Sequence, residues 1–315
     1  MKSGMGATDF DVVVVGELNA DLILSCDSAP QFGQAEKLVD DAYIVLGSSS
    51  AIFACGAARL GLRVAFIGIV GDDMLGRFVL EQLRARGVNC DGIVVEPAIK
   101  TGLSAILLRD SGDRAILTYS GSIGALRMDQ INPALLARGR HLHLGSYFLL
   151  DALRADVPRL FDRAHALGLS VSIDTNFDPA ERWNGGLSDS LARADVLLPN
   201  ATEAMAISQK DTIDDALDSL GARTPTVAVK LGADGAIARR GGERARAAGF
   251  AMQVADTVGA GDSFDSGFVY GMLNGWPLER ALRMACACGS LSTRAAGGTA
   301  AQATLAEALA LIGYP

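Results

Sequence analysis

An α/β fold, with helices on both faces of a mostly parallel central sheet, is predicted by three features of the sequence. From residue 141 onward, short apolar strands at 141–144, 170–173, 196–198 and 226–231 are spaced by helical stretches, an order that requires parallel crossovers. Half of the 315 residues are hydrophobic, aromatics are scarce at 6%, and 36 glycines punctuate short elements. That composition suits a compact α/β enzyme rather than a disordered or fibrous chain. After a small and polar stretch at 1–9 that reads as a loose leader, a β-branched run at 10–15 ends on Gly16, the mark of a buried strand followed by a functional turn.

Charge and cysteine usage exclude several partners. The formal net charge is −8, so no basic stripe is available to displace counterions from a nucleic acid, although glycine-rich loops can still hold the phosphates of one nucleotide. No positively charged leader precedes an apolar core, and no uninterrupted apolar run reaches membrane-spanning length. A cytoplasmic protein with no membrane partner is expected. Cys26, Cys55, Cys90, Cys286 and Cys288 form neither a Cys-x-x-Cys pair nor a disulfide-like framework, and reduced thiols are the expected state.

Beyond Gly16, the alternation of Asn19 and Asp21 puts an amide and a carboxylate on one side of the chain, able to grip neighbouring hydroxyls or to form a solvated Asx turn. Residues 22–45 read as extended, turn-broken segments. The serines of Gly47-Ser48-Ser49-Ser50 suit a helix entry, and Ile52, Phe53, Ala57 and Leu60 give that helix its packing face. A strand at 64–68 leads through Gly71-Asp72-Asp73-Met74-Leu75-Gly76, to which no chemistry is assigned, into an amphipathic helix. Strands at 93–96, 103–108 and 114–119, separated by Thr101-Gly102 and Asp110-Ser111-Gly112-Asp113, predict at least one hairpin. With the 22–45 segments they predict a small sheet outside the main fold.

In the second half, His141 and His143 point to one face of a strand and are read as structural, and a helix is predicted over 149–167. Asp174-Thr175-Asn176-Phe177-Asp178 falls at the carboxyl end of a strand, where open α/β sheets place their ligands. Asn200 and Glu203 are spaced as a capping box, a role compatible with ligand binding. In Lys230-Leu231-Gly232-Ala233-Asp234-Gly235 the glycines would let the backbone lie against an adenine or a ribose, and Lys230 would either meet phosphate or be solvated. Alanine-rich helices follow, closely packed over 278–294, with Cys286 and Cys288 on different faces and therefore not a metal pair.

The chemistry concentrates in Asp256-Thr257-Val258-Gly259-Ala260-Gly261-Asp262-Ser263-Phe264. Gly259, Ala260 and Gly261 stand just before an acidic residue at a helix start, so main-chain amides can approach a phosphate with no side chains in the way. Asp262, as first or capping residue of that helix, would have its ionised form favoured by the unpaired amides and the macrodipole. It could then take a proton from an alcohol beside the phosphate, the convergence that phosphoryl transfer requires. An ordinary capped helix is the plainer alternative for Gly-Ala-Gly-Asp alone. Rival phosphate motifs fail: no Gly-x-x-x-x-Gly-Lys-Ser/Thr occurs, and Phe264 stands where a dinucleotide fingerprint needs its third glycine.

The full string from Asp256 to Phe264 resembles the C-terminal signature of the ribokinase-like (PfkB) carbohydrate kinases, with agreeing motifs dispersed from about Val12 to Gly298. The resemblance implies a ribokinase-like three-layer α/β/α kinase domain over residues 1–315, with a small β-sheet lid formed by 22–45 and 99–120 that keeps water from accepting the phosphoryl group. It implies ATP-dependent transfer of the γ-phosphoryl to a hydroxymethyl group of a small carbohydrate, with Asp262 as general base and the amides of Gly259, Ala260 and Gly261 holding the migrating charge. Asn19, Asp21, Gly47 and Ser48 are carried over as sugar ligands, and Asn200, Lys230, Gly232 and Gly235 as nucleotide ligands. Glu203 would act on Mg²⁺ through water. Asp256 and the Val258 carbonyl, with the turn at 294–298, resemble the monovalent-cation (K⁺) loop of some members.

The sequence also departs from the family pattern. Ser48 replaces the second of two glycines, and Ile52 replaces an asparagine facing the sugar, which argues against ribose. Asp174-x-Asn176 followed by Trp183 is similar to the sugar-acid and fructose kinases, but Asp178 stands where an arginine is frequent, which argues against an anionic sugar. Cys286 takes the place of an asparagine near the base. A catalytically silent sugar-binding or regulatory protein is one alternative, motivated by Ser48, Ile52 and Cys286. A nucleoside kinase of the same fold is another, though few aromatics are available in the lid to stack a purine. A dinucleotide-dependent oxidoreductase is a poorer rival. The exposed lid sheet would allow pairing with a second copy.

Overall fold

A computed structural model describes residues 8–27, 29–109 and 113–313 of the chain. Its strands are β1 (Val12–Val15), β2 (Asn19–Ser25), β3 (Asp41–Leu46), β4 (Val64–Gly71), β5 (Asn89–Glu96), β6 (Gly102–Leu108), β7 (Arg114–Tyr119), β8 (His141–Leu144), β9 (Ser170–Ile173), β10 (Val196–Leu197), β11 (Thr226–Lys230), β12 (Ala236–Arg240) and β13 (Glu243–Ala247). The α-helices are α1 (Ser49–Arg59), α2 (Met74–Ala85), α3 (Pro133–Leu136), α4 (Val157–Ala166), α5 (Leu187–Leu191), α6 (Ala201–Ser208), α7 (Ile213–Gly221), α8 (Ala260–Leu273), α9 (Leu278–Ser292) and α10 (Leu305–Leu311). Among the described residues the strands form a nine-stranded sheet, in the order β13-β12-β11-β10-β9-β8-β1-β4-β5, and a four-stranded sheet, in the order β3-β2-β6-β7.

In the large sheet the neighbours from β5 across to β11 pair in parallel, and β12 and β13 add antiparallel pairings at one edge. Both faces are covered. Val13 and Val15 of β1 point into a core filled by α4, α6 and α7, whereas Val12 and Val14 point into a core filled by α1, α2, α8 and α9. The fully buried Val-Val-Val-Val of β1 is therefore what a strand with no solvent face requires. The three-layer α/β/α architecture expected from the strand–helix alternation is present.

Two sequence expectations are corrected. The strand expected at 93–96 does not join the small sheet: it is the end of β5, which pairs in parallel with β4 at the edge of the large one. The helix α2 supplies the crossover that parallel pairing needs. The helix expected over 149–167 is shortened to α4, because Pro158 lacks an amide proton and fits only the first turn. The residues before it form single 3₁₀ turns at Tyr147–Leu149 and Arg154–Asp156. Residues 1–7 of the leader expected at 1–9 and residues 110–112 of the hairpin separator at 110–113 lie outside the described residues.

The two histidines are structural, as read from the sequence. His141 bonds to the Ser170 and Ser172 hydroxyls at 2.8 and 2.7 Å, His143 bonds to Ser172 at 2.8 Å, and the His143 ring stacks on Phe53. Burial pushes both imidazoles down to about 3, so they are neutral. None of the five cysteines forms a disulfide, and no helix among the described residues is long and apolar enough to cross a membrane.

Helix α8, which carries the glycine-rich signature, is pressed onto α9 through small residues. A Cβ added to Gly271 would lie 2.8 Å from both the Cα and the Cβ of Ala281, and one added to Gly267 would lie 3.0 Å from the Cα of Ala285. Helix α9 backbone stands within 3.0 Å of each space, so neither position can grow without moving a helix. Gly271→Ala is expected to destabilise the protein by about 1–3 kcal/mol despite its better helix propensity. Urea denaturation of the variant beside the native chain measures this.

Candidate active site

Because neighbouring strands are parallel, the carboxyl ends of β1, β8, β9, β10 and β11 share one edge, where a doubly covered sheet leaves room for ligands. Helix α8 points its N-terminus at that edge. Gly259, not Asp262, caps it: Gly259 has φ +71°, and a Cβ there would sit 2.7 Å from the Gly298 Cα and 2.9 Å from the Ile52 Cγ2. Glycine is needed on both counts. Asp262 lies in the first turn, half-buried.

The expectation that the helix terminus keeps Asp262 ionised is corrected. Its carboxyl is pushed well above the usual carboxylate range, first by burial and then by the Asp174 charge, with Lys230 opposing. Desolvation and like charges outweigh the helix dipole here. A carboxyl raised toward neutrality is well matched to exchanging a proton with an alcohol.

Around Asp262 the structure gathers residues that the sequence reading had left apart. Carboxylate oxygens of Asp174, Asp262 and Asp265 lie within 4.8 Å of one another. Lys230 is not solvated: its ammonium donates to Asp174 Oδ2 at 2.9 Å and to both Asp265 oxygens at 3.1 Å. A Cβ on Gly261 would be 3.6 Å from the Lys230 Nζ, which sets that ammonium against the first turn of α8.

On the other side of Asp262 stand the hydroxyl-gripping candidates. Asn19 and Asp21 are both buried in β2, so the solvated Asx turn is not what forms. Asn19 Nδ2 donates to Asp21 Oδ1 at 2.8 Å. A Cβ on Gly47 would fall 2.3 Å from Asp21 Oδ1 and 2.5 Å from Asn19 Nδ2, so only glycine admits the pair. Two residues on, the Ser49 hydroxyl is placed where it favours the ionised form of Asp262. Residues 47–49 thus join the Asn19–Asp21 pair to Asp262.

Strain collects at the same place. Ser48, Ser146 and Asn176 have φ of +69°, +54° and +54°, values that L-residues rarely adopt and that functional sites tend to retain. Ser48 is held there by its hydroxyl, which donates to the Glu17 carbonyl at 2.7 Å and accepts from the Ala51 amide at 2.9 Å. The buried Glu17 carboxylate accepts from the Ser50 hydroxyl at 2.5 Å. Asn176 Nδ2 donates to Ser49 and Ser146, each at 3.2 Å.

The remaining candidates lie toward the other end of the edge. Asn200 and Glu203 form a complete capping box on α6, with Asn200 N donating to Glu203 Oε2 at 2.9 Å and Asn200 Nδ2 to Oε1 at 2.6 Å. Burial pushes Glu203 up to about 7. Gly232 has φ +62° and open space where a Cβ would be, whereas a Cβ on Gly235 would strike the Ala247 carbonyl at 2.0 Å. Packing against β13 accounts for the second glycine. Asp256 accepts from the Val258 amide at 3.0 Å and the Gly297 amide at 2.9 Å, tying the two halves of the candidate cation loop together. At Cys286 burial raises the thiol to about 12, so it is an inert core side chain.

Glu17, Ser49, Asp265 and the cationic use of Lys230 escaped the sequence reading. A signal existed for two of them: Glu17 follows a buried strand at its carboxyl end, and Asp265 is one helical turn from Asp262 in an otherwise apolar helix.

Residues 9–305 match the family model described as pfkB family carbohydrate kinase. The chain is 32% identical over 294 residues to the ATP-dependent ribose-1-phosphate kinase of Halopiger xanaduensis, covering 92% of this chain and 94% of that protein. It is 28% identical over 296 residues to the 5-dehydro-2-deoxygluconokinase of Geobacillus thermodenitrificans, covering 89% and 86%. Among solved structures, adenosine kinase from Sinorhizobium meliloti superposes with a TM-score of 0.85 at 25% identity, over 96% of this chain and 99% of that one.

Burial raises Asp21 from 3.8 to about 6. The folded state therefore binds a proton that the unfolded state has lost, and the stability linked to it is full below about pH 4 and declines as pH rises through 6. Asp21→Asn is expected to remove that decline, worth about 3 kcal/mol at neutral pH. Chemical denaturation of both proteins at steps from pH 4 to 7 tests it.

Proposed function

The chain belongs to the pfkB family of carbohydrate kinases, and we propose that it moves the γ-phosphoryl group of ATP onto a hydroxymethyl group of a small sugar, with Asp262 as general base. The observation that carries this reading is the continuity of residues 47–49, with Gly47 set against the Asn19–Asp21 pair and the Ser49 hydroxyl favouring the ionised form of Asp262. A sugar gripped by Asn19 and Asp21 has a hydroxyl within reach of the base, next to the amides of the glycine turn.

In this mechanism the acceptor oxygen attacks the γ-phosphorus as the bond to the departing ADP oxygen breaks. Asp262 accepts the proton released from the acceptor. The amides of Gly259, Ala260 and Gly261 hold the charge on the migrating group. Asn200, Gly232 and Gly235 belong to the nucleotide side. Both Glu203 oxygens are engaged by Asn200, so Glu203 fits Mg²⁺ only through water, and that ion would neutralise phosphate charge. Asp256 and the Val258 carbonyl are the residues for a monovalent cation such as K⁺.

The small sheet acts as the lid and carries Asn19 and Asp21 itself. A cleft of about 310 Å³, lined by residues including Thr118, Ser120, Phe148, Arg154 and Arg182, adjoins the acceptor side rather than Asp262. It is linked to Asp21 through Ser104, whose hydroxyl lies 3.1 Å from that of Thr118. The likeness to an adenosine kinase supports a nucleoside acceptor as the second reading.

Asp262→Asn is expected to lower kcat by roughly 10²–10⁴-fold while leaving ATP affinity nearly unchanged. A coupled ADP-release assay over sugars, phosphorylated and acidic sugars, and nucleosides identifies the acceptor class. Turnover that survives the substitution would rule out Asp262 as base.

The edge strand β7 is exposed along its whole length and displays Ile116, Leu117 and Tyr119 to solvent. An unprotected apolar edge is a pairing surface, and we propose a homodimer through the lid. Light scattering should return the mass of two chains for the native protein and of one chain for Leu117→Lys.

A further inference from the structure

The acidic centre beside α8 contains a cation of its own. Three carboxylates whose oxygens approach within 4.8 Å repel one another strongly unless neutralised. Lys230 neutralises two of them, and all three of its donors are committed to Asp174 Oδ2, Asp265 Oδ1 and Asp265 Oδ2. The three side chains are 12%, 8% and 1% exposed for Lys230, Asp174 and Asp265. A buried ammonium is tolerated only when paired in this way. Lys230 arrives at the end of β11, Asp174 from the end of β9 and Asp265 from the second turn of α8, so one ammonium ties three elements together.

We propose that Lys230 is a positioning residue, the built-in counter-ion of the transfer site: it locks the first turn of α8 against the ends of β9 and β11 and keeps a fixed positive charge beside Asp262. The proposal rests on Asp262 being the base. It replaces direct phosphate binding as the role of Lys230, because the ammonium is already engaged by two buried carboxylates. Lys230 acts on the glycine turn through its place beside Gly261, where a Cβ would meet its ammonium at 3.6 Å, and on the base through the field it sets there. The other groups in that field are Asp174 from β9, Glu17 from the end of β1, Asp265 from α8 and the Ser49 hydroxyl from α1, while Glu203 from α6 faces Lys230 itself.

Two substitutions with opposite electrostatic sign test it. Lys230→Met should lower kcat about 100-fold with both KM values within about threefold of the native enzyme. It should also raise the titration of the Asp262 carboxyl, followed by ¹³C NMR in ligand-free protein, by about one pH unit or more. Asp174→Asn removes a negative neighbour and should shift the same titration downward. A loosened core would not give opposite signs. A folded Lys230→Met protein with an unmoved titration or unchanged kcat, or two shifts in the same direction, overturns the proposal. If Lys230→Met does not fold, Lys230→Gln, which keeps hydrogen-bond donors but no charge, takes its place, and an unmoved titration there overturns the proposal equally. The titration needs no acceptor, so the expected shifts in a protein without kinase activity would count against the general base and not against the counter-ion.

Discussion

Carboxyl groups that must be gathered out of water at one edge of a sheet are the constraint on which this structure depends. Glu17, Asp174, Glu203 and Asp265 are all buried there, with the half-buried Asp262 among them. Each is accommodated differently. Serine hydroxyl and amide groups satisfy Glu17, its own capping partner satisfies Glu203, and a shared ammonium holds Asp174 and Asp265. For Asp262, burial and the Asp174 charge outweigh the opposing Lys230 charge, and its affinity for a proton rises as a result. The reactivity proposed for it follows from where the compensating groups were spent.

The departures from the family pattern have physical readings in the same region. Ile52 fills the slot between Gly259 and Gly298, where each glycine's absent side chain leaves room for it. Its apolar bulk braces the glycine cap of α8 from below, and its carbonyl is held by Gln302 Nε2 at 2.8 Å. Ser48 keeps the left-handed backbone that a glycine would adopt without cost, and two hydrogen bonds from one hydroxyl offset the strain. Both substitutions are thus accommodated without disturbing the glycine cap of α8 or the entry to α1.

Much of this was legible in the sequence because it is local. The glycine turn before Asp262, the capping box of Asn200 and Glu203, and the uniformly apolar β1 are each written within a few consecutive residues. What was not legible depends on partners far along the chain. Whether residues 93–96 extend the large sheet or the small one is decided by pairing with β4, and their own composition is silent on it. Lys230 at the end of an apolar strand reads as equally suited to water or to a ligand, until Asp174, 56 positions away, and Asp265, 35 positions away, are brought to it. The direction of the Asp262 shift was misjudged for the same reason: a helix terminus is visible in sequence, but the neighbouring charges are not.

Chain connectivity sets a last condition. Asn19 and Asp21 belong to β2 of the small sheet, whereas Asp262 is anchored in the layer behind the large one, and residues 16–18 lead straight from β1 into β2. On the proposed assignment, any tilt of the small sheet would carry Asn19 and Asp21 with it and leave Asp262 behind. Reactive alignment would then exist in one mutual orientation of the two sheets, and solvent admitted in any other would meet an incomplete site.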